Sequence, residues 1–64
     1  MLKYKIQSKY KRANGDVYVI DNFWWGKGDI THVDLIDLKG KKYPMIELKW
    51  LDEKVYSGEL ERIK

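Results

Sequence analysis

The sequence predicts an all-β fold, in which five antiparallel strands form a small barrel and residues 1–64 make a single domain. Apolar and basic side chains alternate with period two at the start of the chain, and turn sequences that contain glycine separate the apolar runs. The chain has no cysteine, so its core has to come from aliphatic side chains and from three Trp, five Tyr and one Phe. A domain of this size buries about 60% of the surface that its unfolded chain exposes, and self-association into a homo-oligomer could bury more.

The first two strands form the hairpin that the sequence defines best. Asn14-Gly15 is the preferred dipeptide for a two-residue type I′ turn, and such a turn would pair Tyr10 with Val19. One face of this hairpin is then predicted to enter the core, and it carries Tyr4, Ile6, Tyr10, Val17, Val19, Phe23 and Trp25. The opposite face is predicted to interleave Lys5, Lys9 and Lys11 with Tyr18, Ile20 and Trp24.

Two further strands are predicted in the middle of the chain. Residues 26–29 form a flexible connection to a third strand over residues 30–38, and residues 39–42 close a second hairpin. Pairing Leu38 with Tyr43 aligns three apolar pairs in this hairpin. It also places Asp34 opposite Glu47, a like-charge contact that indicates an exposed or distorted position.

The segment from residue 44 to residue 55 fits either a strand or a helix. Residues 46–50 alternate strictly between apolar and charged side chains, which favours a fourth strand, followed by a fifth that begins at Val55. However, Leu48, Leu51 and Val55 also have helical spacing, and Pro44 could open a helix that Gly58 closes. The strand interpretation gives a closed or nearly closed barrel of SH3-like or OB-like type. The helix interpretation gives a three- or four-stranded antiparallel sheet with a helix at about 45–56.

Charge is distributed unevenly along the chain. Residues 1–12 contain five basic residues and no acidic one, whereas residues 13–64 contain eight basic and ten acidic residues, which together give the net charge of +3. A local excess of positive charge attracts anionic partners even when the whole protein is only mildly basic. The simpler interpretation is that these lysines keep the first strand soluble and discourage pairing at its edge.

Composition argues against several functional classes. Because the chain has no cysteine and His32 is its single histidine, it lacks a set of zinc ligands, and no metal or cofactor is expected. The candidate nucleophiles Ser8, Thr31 and Ser57 occur in no activating motif, so an enzyme is not expected. No apolar run reaches the length of a membrane span, and residues 1–3 lead directly into a strand pattern rather than a signal peptide. The expected location is cytoplasmic, with no membrane partner.

The sequence therefore predicts a small non-enzymatic protein that binds nucleic acid. Cationic side chains would follow the phosphates while aromatic rings stack on bases. The predicted site consists of Lys3, Lys5, Lys9, Lys11, Arg12, Tyr18, Trp24 and Lys27. The alternative is a protein-interaction module, such as a small regulator or inhibitor, that docks through an aromatic patch or an edge strand.

Overall fold

The computed structural model describes residues 4–63 as five strands and one helix. The strands are β1 (Lys9–Arg12), β2 (Val17–Gly26), β3 (Asp29–Asp37), β4 (Lys42–Glu47) and β5 (Leu60–Ile63), and the helix α1 (Leu48–Ser57) lies between β4 and β5. One antiparallel sheet contains all five strands in the order β4-β3-β2-β1-β5, which confirms the predicted number and direction of strands. In this order β4 and β5 are the two ends of the sheet and the sheet is not closed, so the predicted barrel is not confirmed.

The turn between β1 and β2 differs from the predicted type I′ turn by one residue. The amide of Gly15 donates to the carbonyl of Arg12 over 3.0 Å, and the amide of Arg12 donates to the carbonyl of Asp16 over 2.8 Å. Gly15 has φ +96°, which is typical of a three-residue loop made of a type I turn and a left-handed glycine. The predicted two-residue turn is therefore wrong, although Asn14-Gly15 does lie at the reversal.

The shift of register moves the β2 side chains to the opposite faces of the sheet. Tyr10 pairs with Tyr18 and Lys9 pairs with Val19, one residue away from the predicted register. A slip of one residue exchanges the two faces of a strand. Ile20, which was predicted on the cationic face, is fully buried in the core. The predicted interleaving of lysines with Tyr18 and Ile20 is consequently not found.

The other two hairpins also show how glycine sets the register. Lys27 and Gly28 have φ +53° and +81° between the paired residues Gly26 and Asp29, so the two-residue turn with two positive φ angles is found here. The turn between β3 and β4 repeats the first one, with the amide of Gly40 donating to the carbonyl of Asp37 over 3.1 Å.

The predicted register of the second hairpin is wrong as well. Ile36 pairs with Lys42 and Leu35 with Tyr43, so Tyr43 does not face Leu38. The ladder then shifts between Val33 and Leu35, and Asp34 lies beside this irregularity instead of opposite Glu47, which pairs with His32. The like-charge contact that the prediction implied is thus avoided.

Residues 48–57 form the helix of the alternative interpretation, and the predicted fourth strand stops at Glu47. Helical spacing brings Leu48, Leu51 and Val55 to one side, where Leu51 is fully buried. Gly58, with φ +87°, ends the helix and donates its amide to the carbonyl of Val55. Val55 therefore belongs to the helix, and the fifth strand begins at Leu60.

The helix packs on one face of the sheet, which we call the helix side. The core consists of Tyr4, Tyr10, Ile20, Ile30, Val33, Leu35, Leu51 and Leu60, all of which are buried. The opposite face, which we call the open face, carries Lys9, Lys11, Val17, Val19, Trp24, Asp34 and Ile36. All seven of these residues are at least partly exposed, so the predicted core positions of Val17 and Val19 are wrong. Within residues 4–63, no helix has the length and apolar composition needed to cross a membrane.

The first strand is shorter than predicted, because residues 4–8 do not belong to β1. Residues 4–8 form a turn, in which the amide of Ser8 donates to the carbonyl of Lys5 over 3.1 Å. Tyr4 is nevertheless buried, as predicted, and its hydroxyl donates to the Asp52 carboxylate on α1. The predicted core positions of Ile6 and Trp25 are wrong, because these side chains are 46% and 60% exposed.

We expect Tyr4→Phe to lower the free energy of unfolding by about 1.5 kcal/mol, since a hydrogen bond to a charged acceptor is lost where the hydroxyl is partly buried. Urea unfolding at neutral pH measures this difference. Tyr56→Phe is the matched control, because Tyr56 is 94% exposed. An equal effect of the two substitutions would show that the Tyr4 contact does not stabilise the fold.

The same comparison depends on pH. Burial and the neighbouring Asp52 raise the pKa of Tyr4 above its ordinary value of 10.0. The stabilisation is therefore fully present below that pH and is lost as the pH rises through the higher folded value. The difference in stability between wild type and Tyr4→Phe should narrow at alkaline pH.

Candidate binding groove

The structure divides the predicted nucleic-acid site between the two faces of the sheet. Lys9, Lys11 and Trp24 lie on the open face, whereas Arg12 and Tyr18 lie on the helix side with Tyr10. Lys5 is exposed in the turn before β1, Lys27 occupies the turn between β2 and β3, and Lys3 lies outside the described residues. The eight predicted residues therefore do not form one row.

A groove of about 340 Å³ lies between α1 and the helix side of the sheet. Its apolar lining includes Leu35 and Leu60, which are buried at 4% and 3% exposure. Tyr18, Tyr43 and Trp50 provide aromatic surface, and Arg12, Lys54 and Glu59 provide its charged groups. An apolar cavity with a few convergent polar groups is the usual form of a ligand site.

Two aromatic side chains of the groove, Tyr43 and Trp50, each lie close to a lysine ammonium. The ammonium of Lys41 lies 5.3 Å from the ring centroid of Tyr43, and that of Lys54 lies 5.6 Å from the ring of Trp50. A side-chain hydrogen bond with Tyr18 is the main cause that raises the pKa of Arg12. The structure thus brings aromatic and cationic groups together on the helix side, where only Arg12 and Tyr18 belong to the predicted set.

The aromatic rings are held by contacts with their neighbours. Tyr18 and Tyr43 meet edge to face, with ring centroids 5.5 Å apart and an interplanar angle of 77°. The Tyr43 hydroxyl donates to Asp37 over 3.4 Å, and the amides of Lys39 and Lys41 donate to the same carboxylate over 2.9 Å. These bonds, the Lys41 amide foremost, lower the pKa of Asp37, while partial desolvation and then the Asp37 charge raise the pKa of Tyr43.

One acidic side chain shares the groove with the cations. The Lys54 ammonium lies 2.8 Å from the Glu59 carboxylate. This contact lowers the pKa of Glu59, and the charge of Arg12 acts in the same direction. The carboxylate is therefore ionised at neutral pH.

The chemistry of the groove suits a flat ligand that carries negative charge. Aromatic and apolar surfaces favour a planar ring, and Arg12 and Lys54 favour an anion. Within residues 4–63, no group of three or more His, Asp or Glu side chains is placed to hold a metal ion.

Four aromatic or charged residues that line the groove were not predicted from the sequence, although two of them have a spacing that could have indicated it. Trp50 and Lys54 are four residues apart, a spacing that places them on one side of a helix. The strand interpretation of this segment concealed that relation. Tyr43 and Glu59 reach the groove only through tertiary packing, which no local pattern indicates.

The open face presents a second surface, centred on a fixed tryptophan. The indole N–H of Trp24 donates to the Asp34 carboxylate over 2.8 Å, and the amide of Met45 donates to the same oxygen over 2.9 Å. Trp24 remains 44% exposed, so its ring is oriented by the protein while it is accessible to solvent. Lys9 and Lys11 lie farther along this face, opposite Val19 and Val17, and are about 17 and 23 Å from Trp24 at the usual rise of a strand.

No family model, no curated protein and no solved structure matches this chain. Its function has to be inferred from its own side chains.

We expect the indole N–H of Trp24 to exchange with solvent more slowly than those of Trp25 and Trp50, because it donates to Asp34. The three indole signals in a ¹⁵N–¹H spectrum measure this directly, and the other two tryptophans are internal controls. Asp34→Ala should remove the difference, whereas Asp21→Ala, which changes an exposed acid on β2, should preserve it. Equal exchange of all three signals in the wild-type protein would contradict the contact.

Proposed function

We propose that this protein binds single-stranded nucleic acid in the groove. A base would lie against Tyr18, Tyr43 or Trp50, and the neighbouring phosphates would meet Arg12 and Lys54. The observation that carries the proposal is that Tyr18, Tyr43 and Trp50 line one groove with Arg12 and Lys54, and that the Lys54 ammonium lies 5.6 Å from the Trp50 ring centroid.

The energetic argument rests on stacking and charge acting together. A base stacked on an aromatic side chain contributes about 1–3 kcal/mol, largely independent of base identity. To reach the groove, such a base has to leave its neighbours in the nucleic acid. This costs less free energy in a single strand than in a duplex. The groove volume of about 340 Å³ is near the lower end for ligand sites and suits one base rather than a duplex.

The remaining predicted cations would act at longer range. Lys9 and Lys11 are exposed on the opposite face, so they would raise the local positive potential instead of touching a base in the groove. Lys27 is at the far end of β2, which spans about 30 Å, and is not part of this site. A nucleic-acid ligand also agrees with the expected cytoplasmic location.

We expect Trp50→Ala to weaken binding of a fluorescein-labelled oligothymidylate by about 1–3 kcal/mol, because a stacking surface is lost. Fluorescence anisotropy measures the affinity. Trp24→Ala is the matched control, since Trp24 and Trp50 are 44% and 43% exposed on opposite faces. Equal affinities of the wild type and Trp50→Ala would reject the groove as the site.

The salt dependence provides an independent readout in the same assay. Each phosphate neutralised on a single strand contributes about −0.7 to the slope of log K against log salt concentration. We expect Lys54→Gln to make the slope less steep by about this amount. Lys49→Gln on the exposed side of the same helix should leave it unchanged. An affinity independent of salt would exclude phosphate contacts.

A second candidate function is docking of a protein partner on the open face. Val17, Val19 and Ile36 form a partly exposed apolar strip there, and Lys9 and Lys11 border it. An apolar centre with a polar rim is typical of protein interfaces, in which tryptophan is a frequent anchor. The fixed ring of Trp24 would lose little conformational freedom on binding.

The same pair of tryptophans separates the two functions. If a protein partner docks on the open face, Trp24→Ala should abolish its capture and Trp50→Ala should not. Lys11→Glu should chiefly change the association rate, which surface plasmon resonance measures with the captured partner. Loss of capture by Trp50→Ala alone would contradict docking on the open face.

A further inference from the structure

An internal carboxylate occupies the charged part of the groove. Glu59 lies 2.8 Å from the Lys54 ammonium, and both side chains line the groove together with Arg12. Two cations therefore share a cavity with one anion supplied by the same chain. An anionic ligand that enters the groove has to replace this contact or avoid it.

We propose that Arg12 and Lys54 form a phosphate-binding position that Glu59 occupies in the free protein and that a phosphodiester of the ligand displaces. This inference rests on the proposed function and identifies the group of the ligand that the two cations recognise. The Glu59 carboxylate would then reduce the apparent affinity for nucleic acid and reject ligands without an anionic group.

The position of Glu59 allows it to leave without a change of fold. It lies between Gly58, which ends α1, and Leu60, which begins β5. Its amide donates to the hydroxyl of Ser57 over 3.4 Å, which fixes the backbone beside the helix end. Rotation of the side chain alone can therefore carry the carboxylate out of the groove.

The exposure of the ion pair indicates how strongly Glu59 competes. The Lys54 and Glu59 side chains are 33% and 58% exposed, and exposed pairs of this kind are weak. If the paired state is favoured by the usual amount for exposed pairs, its removal raises the apparent affinity by about two- to sixfold. The lowered pKa of Glu59 supports this interpretation, since the carboxylate is charged at neutral pH.

The decisive comparison is between Glu59→Gln and Glu61→Gln, measured by anisotropy with labelled oligothymidylate. Both substitutions remove one negative charge, but Glu61 pairs with Lys11 and faces away from the groove. We expect Glu59→Gln to bind about two- to sixfold more tightly than Glu61→Gln. Circular dichroism checks that both variants fold.

A spectroscopic readout follows displacement itself. In the wild-type protein, the side-chain carboxyl ¹³C signal of Glu59 should move when oligothymidylate is added, and that of Glu61 should not. A stationary Glu59 signal at saturation, or equal affinities of the two variants, would overturn the competitor role.

These results also separate the two proposals. If the wild type binds with the expected loss in Trp50→Ala but the two Gln variants are equal, the groove function stands and the role of Glu59 fails. If neither the wild type nor Glu59→Gln binds the oligonucleotide, both proposals fail. If Glu59→Gln binds the oligonucleotide and the wild type does not, the competitor role of Glu59 is supported.

Discussion

The register between β1 and β2 is the constraint on which the rest of the structure depends. It is set by the three-residue turn that Gly15 ends in the left-handed conformation. This turn places Ile20 under the helix and aligns Tyr18 with Tyr10. A two-residue turn would exchange the faces of β2 and bring a fully buried isoleucine to the surface. The composition of both the core and the groove therefore depends on the register that this turn sets.

Local patterns predicted β2 and β3 well, but they did not predict which side chains of β2 face the core. The residues of β2 and β3, and the reversal at Asn14-Gly15, agree with the sequence because alternation and turn chemistry are local. An Asn-Gly dipeptide suits either turn length, so the sequence alone could not fix the register. The choice between strand and helix for residues 48–57 was open for a related reason. The helix buries Leu51 against the sheet, and this tertiary contact is not visible in the local sequence.

The candidate site also depends on tertiary contacts that local sequence patterns do not show. Arg12 and Tyr18 were predicted, and they do line one groove. Their partners Trp50 and Lys54 come from the helix, far along the chain, so no single strand pattern contains the whole set. The two faces also differ in character: the groove combines rings with cations, whereas the open face combines an aliphatic strip with lysines and one oriented indole.

The irregularity between β3 and β4 has a consequence for the backbone donors of β4, a terminal strand of the sheet. An open sheet exposes unpaired amides along its terminal strands, and these can recruit further chains into a continuous ladder. In β4, Pro44 has no amide hydrogen and the Met45 amide is already engaged by Asp34. Two consecutive positions on this border therefore offer no donor to an incoming strand. The Asp34 carboxylate that orients Trp24 therefore also takes one backbone donor of this terminal strand.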